Sequence, residues 1–148
     1  MAFRFPLQAV LRIRQGFERL EHLRLLAFAA IIAHVRREIQ NHEKESSLAE
    51  SEVQRGLAAE APAAELHFEI AKRRMRGERK RLLEERLADL TRRHQRQNLV
   101  FLAARRKRQI LENLRQRKLV AYQREQSRRE QQIADELFLE RISREKAG

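Results

Sequence analysis

His34, Glu38 and His42 stand four residues apart, so any helix containing them puts two imidazoles and a carboxylate, donor types that zinc takes, on one face. A zinc site also needs a fourth ligand and outer partners that fix the ring orientation, and a single exposed helical face supplies neither. The three residues are expected to fill a weak seam between helices instead, and no metal or cofactor is expected. Gly77-Glu78-Arg79-Lys80 ends like a phosphate-binding loop but lacks the preceding glycine and the strand that such a loop requires. Glu84 and Glu85 are neighbours, so on a helix they diverge by about 100° and cannot share a proton or flank a bond. The chain has no cysteine, which removes disulfides, thiolate metal sites and thiol nucleophiles. No catalytic residue and no small-molecule substrate is assigned, and enzymatic activity is not expected.

The basic runs Lys72-Arg73-Arg74, Arg79-Lys80-Arg81 and Arg105-Arg106-Lys107-Arg108 raise a different chemistry, the binding of an anionic partner. The formal charge of +12 is concentrated there: residues 72–118 hold eighteen Lys/Arg against five Asp/Glu, whereas residues 1–60 hold nine against eight. Such a stripe draws acidic protein faces, anionic lipid headgroups or nucleic acid. A basic helix that forks across a DNA groove lies beside a strong dimerising zipper, and none follows here, so nucleic acid is not the expected partner.

The elements that must carry these residues are helices. Arg, Leu, Glu, Gln and Ala dominate the 148 residues, glycine and proline together number six, and charged residues make up 36%. These are residues that keep most of their side-chain freedom in a helix, and β-branched and aromatic residues are sparse, so a sheet is not expected. Val10, Ile13, Phe17 and Leu20 recur at three- and four-residue spacing, as do Phe28, Ile32, Val35 and Ile39. Joined through Arg24, the two series contain a stutter that would relax a left-handed supercoil. Around it the apolar stripe widens over Leu25, Leu26, Ile31 and Val35, enough for a third surface to pack. Beyond Ile39 the seam weakens to His42, Ser46, Ala49 and Val53.

Gly56 can end a first helix, and Pro62 suits the first turn of a second. So short a link requires the helices to fold back on each other. The expected fold class is all-α: a two-helix antiparallel coiled-coil hairpin forming one domain over 1–148, with helix 1 over about 5–56, a turn over about 57–63 and helix 2 over about 64–145. The second seam, Leu66, Ile70, Leu83, Leu87, Leu90, Phe101, Ala104, Leu111 and Leu114, is interrupted by His94 and several Arg. The second helix, about 120 Å against about 75–80 Å, should overhang at its C-terminal end. Met1 to Arg14 carries three arginines where a secretory leader needs an apolar run, and Leu23 to Val35, broken by Arg24 and His34, falls short of the roughly 20 residues that span a bilayer. A soluble protein is expected.

The two ends carry a more specific pattern. The first is Phe3-Arg4-Phe5-Pro6-Leu7-Gln8-Ala9-Val10-Leu11-Arg12-Ile13-Arg14, and the second runs from Tyr122-Gln123-Arg124-Glu125-Gln126 through Ser127-Arg128-Arg129-Glu130 to Asp135-Glu136-Leu137. Together they resemble the flagellar FliJ family, in which a phenylalanine-arginine-phenylalanine start leads into a leucine-rich helix and a tyrosine precedes a glutamate, glutamine and arginine run ending in aspartate-glutamate-leucine. The middle of the chain departs from that pattern. The resemblance implies a component of the bacterial flagellar type III export apparatus, cytoplasmic and peripheral to the inner membrane at the flagellar base. It implies a coiled coil similar to the stalk of rotary ATPases, with the export ATPase FliI, the export gate FlhA and export chaperones as partners. The injectisome YscO family is the nearest confusion.

In an antiparallel hairpin both ends meet at one tip. An ATPase-facing patch is therefore expected from Phe3, Phe5, Leu7, Tyr122, Arg124, Arg128, Arg129, Asp135 and Leu137, joined by Ile133 and Phe138, with the arginines facing acidic residues of the ring. The alternative is that the aromatics only staple the helix ends together. Two other functions stay open: a basic coiled-coil nucleic-acid binder, and a peripheral membrane rod using Leu23 to Val35.

Overall fold

The computed structural model describes residues 2–60 and 62–148. The chain is an all-α helical hairpin of two helices, α1 (Gln8–Ala58) and α2 (Ala63–Ala147), of 51 and 85 residues. Pro6, which fixes its own φ and donates no hydrogen bond, delays α1. The first turn is closed by the Gln8 amide donating to the Phe5 carbonyl at 3.1 Å and the Leu11 amide donating to Leu7 at 2.9 Å. The helix thus starts three residues later than the apolar pattern suggests.

Gly56 does not end α1. The helix runs past it to Ala58, and Glu60 takes the left-handed conformation at φ 53° that glycine usually occupies after a helix. The Ala59 amide closes on Arg55 and the Glu60 amide on Leu57, which satisfies two of the carbonyls left open at a helix end. Pro62 lies just before α2 and receives the amides of Glu65 and Leu66 on its carbonyl. Glu65 in the first turn and Arg144 and Lys146 in the last place charge where it complements the dipole of α2.

The chain divides into two compact units. In the unit formed by 19–102, the residues of α1 that turn inward are Glu21, Leu25, Phe28, Ile32, Val35, Ile39 and His42, alternating steps of four and three without the expected stutter. Its core is small. Ile32, Val35 and Leu90 are buried, with Phe28, Ile39 and Leu87 packed against them, and Val35 is 0% exposed. The partners His42–Arg76 and Glu21–Gln97 run in opposite chain directions, so the helices are antiparallel here. Leu26 and Ile31, expected to widen the packed stripe, and Ile70, expected in the second seam, are exposed.

In the unit formed by 1–18 with 103–148, the described part of α1 buries Leu11 and, before the helix, Phe5. Gln8 meets Arg115 and Glu18 meets Arg108, again antiparallel. Val10, Ile13 and Phe17, the expected seam, are exposed, Ile13 by 57% and Phe17 by 50%. Among the described residues no helix is long and apolar enough to cross a membrane.

Val35→Asp, which puts an unpaired carboxylate into the six-residue core, is expected to cost several kcal/mol and to collapse the melting transition followed by far-UV circular dichroism. Leu82→Asp, on an exposed position of the same unit, is expected to stay within about 0.5 kcal/mol.

Candidate protein-interaction surface

A seam with so little apolar content leaves polar side chains to set the register. In the 19–102 unit, the buried His42 uses Nε2 to donate to the main-chain carbonyl of Arg76 at 2.7 Å. Gln97 donates through its amide nitrogen to the main-chain carbonyl of Glu21 at 3.1 Å and also to the Glu21 carboxylate. Arg73 pairs with Glu50 at 2.9 Å and Lys80 with Glu43 at 3.4 Å across the same seam. The His34, Glu38, His42 face is split by this arrangement. His34 meets Glu38 at 2.7 Å on the outside, and His42 turns into the seam, so the three do not converge.

In the unit containing both ends, Arg108 holds Glu18 with two parallel hydrogen bonds, Nε to Oε2 at 2.6 Å and Nη2 to Oε1 at 3.1 Å, and also contacts Glu112. Both Arg108 and Glu18 are largely shielded, so this forked pair is worth more than the exposed pairs along the helix. The hydrogen bond that Arg108 donates to Glu18, opposed by partial desolvation and reinforced by Glu112, raises the guanidinium further above its already high pKa. Arg108 is therefore a fixed positive charge at any working pH.

The expected terminal patch is only partly assembled. Phe3 and Tyr122 stack at 5.6 Å between ring centroids, and the Arg115 guanidinium lies 5.9 Å from the Phe3 ring. Phe5 is buried and Leu7 is exposed. The Phe3–Tyr122 contact fastens the start of the chain to α2. Ile133, Leu137 and Phe138 do not join it. Ile133 comes eleven residues after Tyr122, about 16 Å along a helix, and residues 127–141 of α2 are exposed throughout.

Leu137 and Phe138 are 60% and 62% exposed, and with Ala134 and Arg141 they line an open groove on the bare helix. Asp135 is exposed on the same segment. Arg124, Arg128 and Arg129 are exposed, and Arg128 and Arg129 both bond to Glu125, at 3.1 and 3.3 Å. That contact, chiefly the hydrogen bond from Arg128 and then its charge, holds the Glu125 carboxyl below its ordinary value.

Apolar periodicity missed the outward stripe of Val10, Ile13 and Phe17 by assigning it to the seam. The true inward positions, Leu11, Arg14 and Glu18, are mostly charged, and the signal that could have found them is the complementarity of Glu18 with Arg108. Among the described residues, Arg105, Arg106, Lys107, Arg117 and Lys118 are exposed cations without an acidic partner. Family models, curated proteins and solved structures all give no match to this chain.

Arg128→Ala is expected to return the Glu125 carboxyl toward its ordinary pKa in a side-chain NMR titration. The depressed value means the Glu125 contacts are complete above the ordinary glutamate range and are lost as the pH falls through the folded value, so the wild-type chain should release Arg128 and Arg129 only in acid.

Proposed function

We propose that this chain is a non-enzymatic binding protein of the bacterial flagellar type III export apparatus. In this reading it engages the export ATPase FliI and links it to the export gate FlhA and to export chaperones at the cytoplasmic face of the inner membrane. The family reading rests on the two end segments quoted above. The observation that carries a binding role is the uncovered end of α2: residues 127–141 are exposed throughout and include Ile133, Leu137, Phe138 and Leu139. An isolated helix draws little stability from propensity alone, and an apolar face left in water is most economically explained by a partner that covers it. The grooves found on α2 are shallow and open, which suits a helix or a protein face better than a small molecule.

The unpaired cations from Arg105 to Lys118 favour one other reading, a nucleic-acid partner. Plain duplex DNA separates the two: binding that falls steeply with salt would support it, and absence of binding at moderate salt would leave the acidic protein partner.

A chain ending at Gln126 is expected to lose most of its retention by the export ATPase and its effect on ATP hydrolysis, with at least about a tenfold drop in affinity. Its melting temperature should change little, because the removed segment covers no part of the core. Equal retention and equal stimulation by the shortened chain would refute the tail as the ATPase contact.

A further inference from the structure

The unit that contains both ends exposes two apolar faces of opposite electrostatic character. One runs from Leu7, just before α1, through Val10, Ile13 and Phe17 on α1, a stripe about 15 Å long. It sits in a basic setting: residues 2–18 and 103–126 together hold eleven Lys/Arg against three Asp/Glu. The other is the bare end of α2, where Ala134, Leu137, Phe138 and Arg141 share a face. Residues 130–140 of that segment carry Glu130, Asp135, Glu136 and Glu140 and no Lys or Arg.

The tail cannot cover the stripe of its own molecule. Tyr122 already lies against Phe3, and Arg115 against Gln8, so the tail continues beyond the start of α1 on a helix that has no proline or internal glycine after Gly77. What fits the stripe must come from another molecule, and a second copy supplies both halves of the match.

We propose that two copies of this chain associate by reciprocal exchange of their α2 ends, each tail packing its Leu137–Phe138 face on the other's Val10–Ile13–Phe17 stripe. Setting Leu137 over the partner's Ile13 places the two-fold axis near Glu125. Asp135 and Glu136 then come within about a helical turn of the partner's Arg115 and Arg117, so the acidic tail meets basic residues. The arrangement is self-complementary and closes at two copies, because each contact is repeated by the symmetry. It does not depend on the export-apparatus reading. A tail engaged in this way is unavailable to another protein, so the dimer would be a stored form that a tail-binding partner must open.

Analytical ultracentrifugation of the purified full-length chain over a concentration series tests the exchange. Wild type is expected to show a monomer–dimer equilibrium that weakens as salt is raised. Phe138→Asp on the tail and Ile13→Asp on the stripe should each weaken dimerisation at least about tenfold. Mixing the two variants should restore a heterodimer, since one intact tail can still meet one intact stripe, and circular dichroism melts of each variant alone establish that the hairpin is folded. A wild-type chain that stays monomeric at every concentration would overturn the proposal. So would a dimer that survives removal of the residues after Gln126, or folded variants whose mixture forms no heterodimer.

Discussion

Everything in this protein depends on a very small contact, the six apolar side chains Phe28, Ile32, Val35, Ile39, Leu87 and Leu90 that pack between the helices of the 19–102 unit. Two helices enclose little volume, and only Val35 is completely removed from water. Glu21, His42, Arg76, Lys80 and Gln97 also lie at the seam, beside half-buried apolar residues such as Leu25 and Leu83, and they contribute less by burial than by restricting which residues can face each other. A shift of one residue would leave the His42 ring and the Gln97 amide, both taken partly out of water, without their acceptors. The apolar contact supplies attraction and the polar contacts supply register.

The same division of labour appears in the unit that holds both ends. Phe5 and Leu11 are buried, and the forked Arg108–Glu18 pair and the Arg115–Gln8 bond align the helices. The basic excess of α2 is thereby only partly consumed. Acidic residues of α1 neutralise Arg73, Lys80 and Arg108 across the seam, and glutamates and aspartates on α2 itself meet Lys72, Arg81, Arg92 and Arg93. The cations left over between Arg105 and Lys118 face solvent, and they give the molecule a field that favours acidic surfaces.

Using charged residues inward leaves apolar residues outward. Val10, Ile13 and Phe17 on α1 are exposed because the seam is satisfied without them, and Leu137 and Phe138 are exposed because they lie on the uncovered end of α2. This inversion connects the fold to the proposed binding role: side chains that would ordinarily close a core are instead held on helix faces open to solvent.

Composition alone determined the helical class, the position of the reversal and the surplus length of the second helix, because helix formers run unbroken on either side of the single Gly56 to Pro62 interruption. The seam around Val35 was equally legible, since apolar residues at alternating three- and four-residue steps fall on one face whatever lies opposite. Which face of α1 turns inward before Leu20 was not legible. Apolar periodicity selects Val10, Ile13 and Phe17, whereas the structure selects Leu11, Arg14 and Glu18, because Glu18 finds Arg108 ninety residues away and that pairing has no local signature. The terminal patch is only partly assembled for a related reason: Tyr122 meets Phe3, and the helix then carries Ile133, Leu137 and Phe138 about 16 Å or more beyond it, a separation that only the register between the helices decides.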